Sequence, residues 1–298
     1  MRWDKWTRKR QADSALDVKR RRLAAWLGHL WACYTYARRI EPHWLEVTRT
    51  TVFLPRLPSA FDGLRIVHLS DFHAGRRVPA ALLAESVELA NRQRPDLIAL
   101  TGDFVHAGYR YIEPMAEMLG RLRAHEGIYA VLGNHDFSVR HAWRIRARRR
   151  LHLAIETALW RRGITVLRNS WRLLQRHGQQ LAIVGVDDLW SGQCDVPRAF
   201  GRLPGSVPAV LLAHNPRVIE RLGESTRCDL VLSGHTHGGQ VHLRHVGPLF
   251  LARRYRPIAA GLCRHRGCQL YVHRGVGYSF RLRYRVRPEV AVLELRRG

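Results

Sequence analysis

Five times between residues 64 and 240, a short apolar run ends in residues that carry charge or bind cations. Residues 64–70 lead to Asp71-Phe72-His73, 96–101 to Gly102-Asp103, and 128–132 to Gly133-Asn134-His135-Asp136. Residues 209–213 lead to His214, and 230–232 to Ser233-Gly234-His235-Thr236-His237. Runs this short and this rich in Val, Ile and Leu read as buried strands. Stretches with helical spacing lie between the first three, over 80–92 and 112–123. Further strands are expected over 164–167, 172–175, 181–186, 269–273 and 290–295, and a long helix over 143–162. Strands alternating with helices, followed by more strands, predict an α/β sandwich built on mixed sheets. In open α/β sheets, sites assemble at the C-terminal edge of the strands. The five polar clusters are therefore expected to share one crevice, with neighbouring glycines allowing tight turns and close backbone approach.

The chain has 298 residues, enough for one large domain or two modest ones with a substantial core. A hydrophobic share of 46% excludes an intrinsically disordered chain. No glycine or heptad period supports a collagen-like or coiled-coil protein, and no apolar run reaches the roughly 18 residues of a membrane span. Lys and Arg number 50 against 24 Asp and Glu, a formal charge of +26. That charge favours nucleic acid, acidic lipid surfaces or phosphorylated substrates without choosing among them. Only Lys5, Lys9 and Lys19 are lysines, a bias that GC-rich coding would produce. A non-enzymatic module binding membrane or nucleic acid is compatible with the charge. It finds no helix-turn-helix, zinc-finger, RNP-like or basic-zipper pattern to support it. The five cysteines imply no disulfide framework and favour a reducing compartment. Cys263 and Cys268, with His265 between them, admit a metal reading beside that of two unrelated thiols.

Residues 1–22 form a basic tail. Residues 23–37 contain no acid and no Lys or Arg but hold Trp26, Trp31, Tyr34 and Tyr36, and Arg38 and Arg39 follow. Aromatic side chains flanked by arginine suit a membrane–water interface, so 23–40 is expected to anchor there. Two other readings stay open: the apolar region of an export signal, and an amphipathic helix packed on the domain. The remainder, 41–298, is expected to be one catalytic domain.

Imidazole and carboxylate groups without a thiolate suit Zn, Fe, Mn, Co or Ni. The strings Leu69-Ser70-Asp71-Phe72-His73, Gly102-Asp103, Gly133-Asn134-His135-Asp136, His214-Asn215-Pro216 and Gly234-His235-Thr236-His237-Gly238-Gly239-Gln240 resemble the calcineurin-like metallophosphoesterase superfamily. The resemblance covers about residues 40–296 and is greatest to the bacterial membrane-associated branch of YaeI-, YkuE- and LpxG-type enzymes. It implies the metallo-dependent phosphatase fold, a four-layer α/β/β/α sandwich of two mixed β-sheets flanked by helices. It also implies two divalent ions (Mn²⁺, Zn²⁺ or Fe²⁺) about 3.5–4 Å apart that hold phosphate oxygens and ready a water for attack. By the same resemblance, Asp103 bridges the ions. Asp71, His73 and His237 complete one site, and Asn134, His214 and His235 the other. His135 is expected to protonate the leaving oxygen, with Asp136 orienting its ring.

The implied function is hydrolysis of a phosphodiester or pyrophosphate at the cytoplasmic face of the inner membrane. UDP-2,3-diacylglucosamine, in lipid A biosynthesis, is the leading substrate. The alternatives are a phosphodiesterase of soluble nucleotides or nucleic acid, and an exported location. The arginines of 143–162 and of Arg253-Arg254-Tyr255-Arg256 are expected either to meet phosphate or head groups or to colour a solvated face.

Overall fold

The computed structural model describes residues 3–139, 150–223, 226–265 and 268–298, with side chains from residue 17 onward except that of residue 265. Five α-helices and fourteen strands are found among them. The first sheet joins β1 (Glu46–Leu54), β2 (Arg65–Leu69), β3 (Leu97–Thr101), β4 (Ile128–Val131), β5 (Thr165–Val166) and β14 (Glu289–Arg297) in the order β1-β14-β2-β3-β4-β5. Within it β2, β3, β4 and β5 run parallel, β14 is antiparallel to β2, and β1 is parallel to β14. The second sheet joins β6 (Ser170–Arg176), β7 (Gln179–Gly185), β8 (Ala209–Leu212), β9 (Leu230–Ser233), β12 (Gly261–His265) and β13 (Cys268–Val272) in the order β12-β13-β9-β8-β7-β6. Its centre, from β7 to β13, is parallel, and its two edge strands are antiparallel. A small hairpin of β10 (His242–Leu243) and β11 (Gly247–Pro248) stands apart.

The central strands are apolar along their whole length because both of their faces are covered. In β3 all five residues are buried. Leu97 and Ala99 face the second sheet, where they pack with residues such as Val210, Leu212, Leu230 and Leu232. Ile98 and Leu100 face outward onto α2 (Ala80–Arg92), α3 (Ile112–Leu119) and α4 (Leu151–Trp160) through Leu83, Val87, Met115, Leu119 and Ile155. The period-2 alternation of a strand thus feeds two cores at once. On the far side, α5 (Val196–Phe200) and the helical turn Pro216–Arg221 cover the second sheet through Val196, Ala199, Val218 and Ile219. The result is the expected α/β/β/α sandwich.

Three features differ from the sequence reading. First, α1 (Trp3–Thr35) runs unbroken across the boundary expected between a tail and an interface segment, and continues as a π-helical turn over Tyr36–Ile40. Second, β1 and β12 are edge strands that pattern did not reveal. Burial in β1 alternates from Thr48 to Leu54, but threonines take two of the inward positions and Phe53 an outward one, so residue type does not show it. Third, the helix expected over 143–162 is seen as α4, and residues 140–149 lie outside the described residues. The Cys263–Cys268 pair sits on the β12–β13 hairpin, where Cys263 faces Leu270 across the ladder. No metal-competent group among the described residues contains a cysteine.

The C-terminal part of the domain is wired to its beginning by a buried cation. Arg283 is fully buried and donates to the carbonyls of Arg274, Gly275, Gly277 and Val286. Burial, and the nearby charge of Arg274, pull its guanidinium down to about 9. Its own backbone N–H donates to the Ala37 carbonyl at 2.8 Å, and the Glu41 carboxylate accepts the Val286 amide. The end of α1 is therefore docked on the segment that backs the strand edge described next.

Candidate metal centre

β2, β3, β4, β8 and β9 all end at one edge, where the two sheets meet. Backbone and side chain stitch the ends together: the Asp71 amide donates to the Gly102 carbonyl at 3.0 Å, and the Gly234 amide to the His214 carbonyl at 3.0 Å. Two bonds cross between sheets, from His214 Nδ1 to the Thr101 carbonyl at 2.7 Å and from the His235 amide to Asp71 Oδ2 at 3.0 Å. Asp71, His73, Asp103, His235 and His237 all have positive φ, between 47° and 72°. Such conformations cost about 1–3 kcal/mol each for residues with a side chain and persist only where surroundings over-determine them. Two glycines make the crowding possible. A Cβ on Gly133 would strike Oδ1 of Asp103, and one on Gly234 would strike the Ser70 hydroxyl and Asp71 Oδ2.

Six of the nine residues singled out from sequence form two groups, with Asp103 between them. In one, His73 Nε2 lies 3.0 Å from His237 Nε2 and 3.5 Å from Asp103 Oδ2. Both rings face Asp71 Oδ1, at 3.8 and 3.2 Å. In the other, Asn134 Oδ1 lies 3.1 Å from His214 Nε2 and 3.0 Å from His235 Nδ1, and His214 Nε2 is 3.3 Å from Asp103 Oδ2. The Thr101 carbonyl accepts from His214 Nδ1, which turns Nε2 towards Asp103 and Asn134. The T-shaped contact of Trp190 on the His235 ring, at 4.4 Å between centroids, holds that ring in place.

The donor set fits divalent cations on three counts. Two imidazole nitrogens 3.0 Å apart beside a carboxylate oxygen that lacks a hydrogen-bond partner are arranged to converge on a positive ion. Asp71, His73 and His237 form one metal-competent group, and Asp71, Asp103 and His214 another that shares Asp71 with it. The electrostatics agree. Burial pushes Asp71 up to about 6 and Asp136, with the charge of Asp103 adding, up to about 8. Burial likewise holds His73 and His237 well below the ordinary imidazole range and brings His235 down to about 3. His214 is the exception: burial opposes its charged form, but Asp103 overrides it and raises the ring to about 10, so ligation there displaces a proton. Protein cations alone leave the buried carboxylates under-compensated, and neutral imidazole is the form that binds metal.

Asp136 corrects an expectation. Its carboxylate does not orient the His135 ring: it accepts the amides of Gly133, Asp103 and Phe104 at 2.8–2.9 Å. It therefore shapes the turn that aims Asp103. The His135 ring instead donates from Nδ1 to the His106 carbonyl at 3.0 Å, and the residue lines the cleft.

Two residues escaped the sequence reading. His106 joins His73 and His135 in a third metal-competent group, three positions after Asp103. Asp188 is buried just beyond β7, with Oδ2 accepting the Ser191 amide at 2.8 Å and Oδ1 without a partner. Burial, with the Asp103 charge adding, lifts it to about 7. The strand-end rule that found the other clusters points to Asp188 as well when applied to residues 181–186.

Gly234→Ala would drive a methyl group into Ser70 and Asp71. The expected result is an intact fold by circular dichroism and an Mn²⁺ affinity reduced about tenfold or more. Wild-type Mn²⁺ affinity in that variant would refute Asp71 as a ligand.

Comparison with known proteins agrees with this geometry. The family model for the calcineurin-like phosphoesterases matches residues 64–239. Phosphodiesterase YaeI of Escherichia coli is 35% identical over 88% of this chain and 92% of its own. The metallophosphoesterase YkuE of Bacillus subtilis is 31% identical over 88% and 90%. The UDP-2,3-diacylglucosamine pyrophosphatase LpxG of Chlamydia trachomatis is 30% identical over 87% and 92%. With every strand-end cluster of the matched segment gathered at one edge, the chain belongs to the calcineurin-like phosphoesterase family and is a metal-dependent phosphoesterase.

Proposed function

We propose that this phosphoesterase holds two divalent ions and cleaves a pyrophosphate or phosphodiester bond in a lipid-linked nucleotide, UDP-2,3-diacylglucosamine being the leading candidate. The observation that carries the reading is the pair of donor groups on either side of Asp103. Asp71, His73 and His237 would hold one ion, Asn134, His214 and His235 the other, with Asp103 between them. Mn²⁺, Zn²⁺ and Fe²⁺ all suit this set. Such ions neutralise phosphate oxygens and make a water acidic enough to attack phosphorus near neutral pH. His135 lines the cleft and, when protonated, donates its proton to the departing oxygen. The similarity to LpxG supports the lipid-linked substrate. The similarity to YaeI supports a second reading, a phosphodiesterase of other substrates.

Release of UMP from UDP-2,3-diacylglucosamine by the Mn²⁺-loaded protein is the expected outcome. No UMP beside strong turnover of cyclic nucleotides or DNA would favour the second reading. Asp103→Asn and His235→Ala should each slow hydrolysis of bis-p-nitrophenyl phosphate by more than about a hundredfold, with the fold intact. Wild-type rates in both would remove the two-ion assignment. His135→Ala should slow esters with poor leaving groups by about 10²-fold or more and activated aryl esters far less. Equal losses for the two ester types would rule out the acid role.

Residues of α1 support attachment to the inner face of a membrane. Leu23, Trp26, Leu27, Leu30, Trp31 and Tyr34 are all exposed and fall on one side of the helix at 3.6-residue spacing. Arg20, Arg21 and Arg22 precede this stripe, and Arg38 and Arg39 follow it. No described helix is long and apolar enough to cross a membrane, which fits a helix lying in the interface. Because Ala37 and Glu41 hold the segment that includes Arg283 and Val286, the informative truncation ends at Thr35. The truncated protein should leave anionic vesicles in a sedimentation assay and still turn over soluble esters. Continued sedimentation would move the attachment to the arginine-rich surface.

A further inference from the structure

The cleft over the metal centre, about 520 Å³ in volume, has an uneven distribution of charge. The chain carries 50 Lys and Arg, yet among the described residues Arg254 is the one that lines this cleft. No ion pair engages it among the described residues, whereas its neighbour Arg217 is committed to Glu220 at 2.9 Å. Arg254 is not loosely placed. Its guanidinium lies over the Tyr255 ring, 5.5 Å from the centroid. Tyr255 is itself buried, and its hydroxyl meets the Asn215 side chain, whose Nδ2 donates to it at 3.1 Å. Asn215 directly follows the candidate ligand His214, and the Tyr255 ring stands 5.6 Å from that of His235. This chain of contacts carries the exposed Arg254 side chain beside the metal centre.

Two ions held by Asp71, His73, His237, Asp103, Asn134, His214 and His235 would satisfy the oxygens of the phosphate under attack. A second phosphate on the same substrate needs a cation of its own, and a guanidinium meets two phosphate oxygens at once. We propose that Arg254 binds the phosphate adjacent to the one being cleaved, making it the residue that selects nucleoside-diphosphate-type anhydrides over esters with a single phosphate. Tyr255, pinned by Asn215, is its positioning residue. The inference rests on the reading of this centre as a phosphoester hydrolase and adds the substrate class that the cleft is built to take.

Calorimetric titration of the Mn²⁺-loaded full chain with UDP and with UMP, metal in excess, tests it. The wild type should bind UDP more tightly than UMP. Arg254→Ala should weaken UDP about 10–100-fold and UMP less than about threefold, with an unchanged melting curve. Arg254→Lys should keep part of the UDP preference, because a point charge replaces the fork. Tyr255→Phe should weaken UDP by less than Arg254→Ala does and leave UMP binding near that of the wild type. Equal losses for both ligands in Arg254→Ala, or no loss for UDP, would overturn the assignment. Selective UDP binding by a protein that hydrolyses no phosphoester would instead defeat the hydrolase reading and leave the Arg254 contact standing.

Discussion

Four carboxylates, Asp71, Asp103, Asp136 and Asp188, are buried together where two sheets meet. Charges in such a place are tolerated only when paired or when they coordinate metal. Each of the four is managed differently. Asp136 is absorbed by backbone amides, Asp103 sits beside His214, and Asp71 and Asp188 each keep one oxygen without a partner. The surrounding imidazoles are mostly neutral, so the balance of charge falls to bound cations. Five left-handed residues at the same edge add conformational cost. The large double core beneath, with its fully apolar central strands, supplies the rigidity that keeps these unfavourable groups in position.

That division explains what was legible in the sequence. Strand-end polar clusters stood out because parallel strands buried on both faces are uninterrupted apolar runs, so each polar terminus is abrupt. The four-layer architecture followed from the alternation of elements and from the family resemblance. Edge strands β1 and β12 were invisible because their exposed positions include Phe53 and Leu262, so residue type does not follow their alternating burial. The role of Asp136 was misjudged for a related reason. Adjacency in sequence suggested a contact with His135, but the tight turn points the carboxylate back at amides and the imidazole towards His106. Asp188 follows β7 closely enough for the same strand-end pattern to reach it, whereas His106 lies five positions beyond the end of β3 and looks like an ordinary loop residue.

The base of the cleft and its rim are built on different principles. The base allows no variation in volume, since a methyl group on Gly133 or Gly234 has nowhere to go. The rim, formed by segments near Phe250, Arg254 and Phe280, is held by few attachments. Gln240, buried next to the last candidate ligands, carries one of them. Its Nε2 donates to the carbonyls of Phe280 and Leu282 at 2.7 and 2.8 Å, and its Oε1 accepts the Ser279 amide at 3.0 Å.

A wall braced at several points, Gln240 and Arg77 among them, still belongs to loops and not to the sheets beneath. Insertions or replacements beyond Gln240 can redraw the opening while the machinery underneath keeps its alignment.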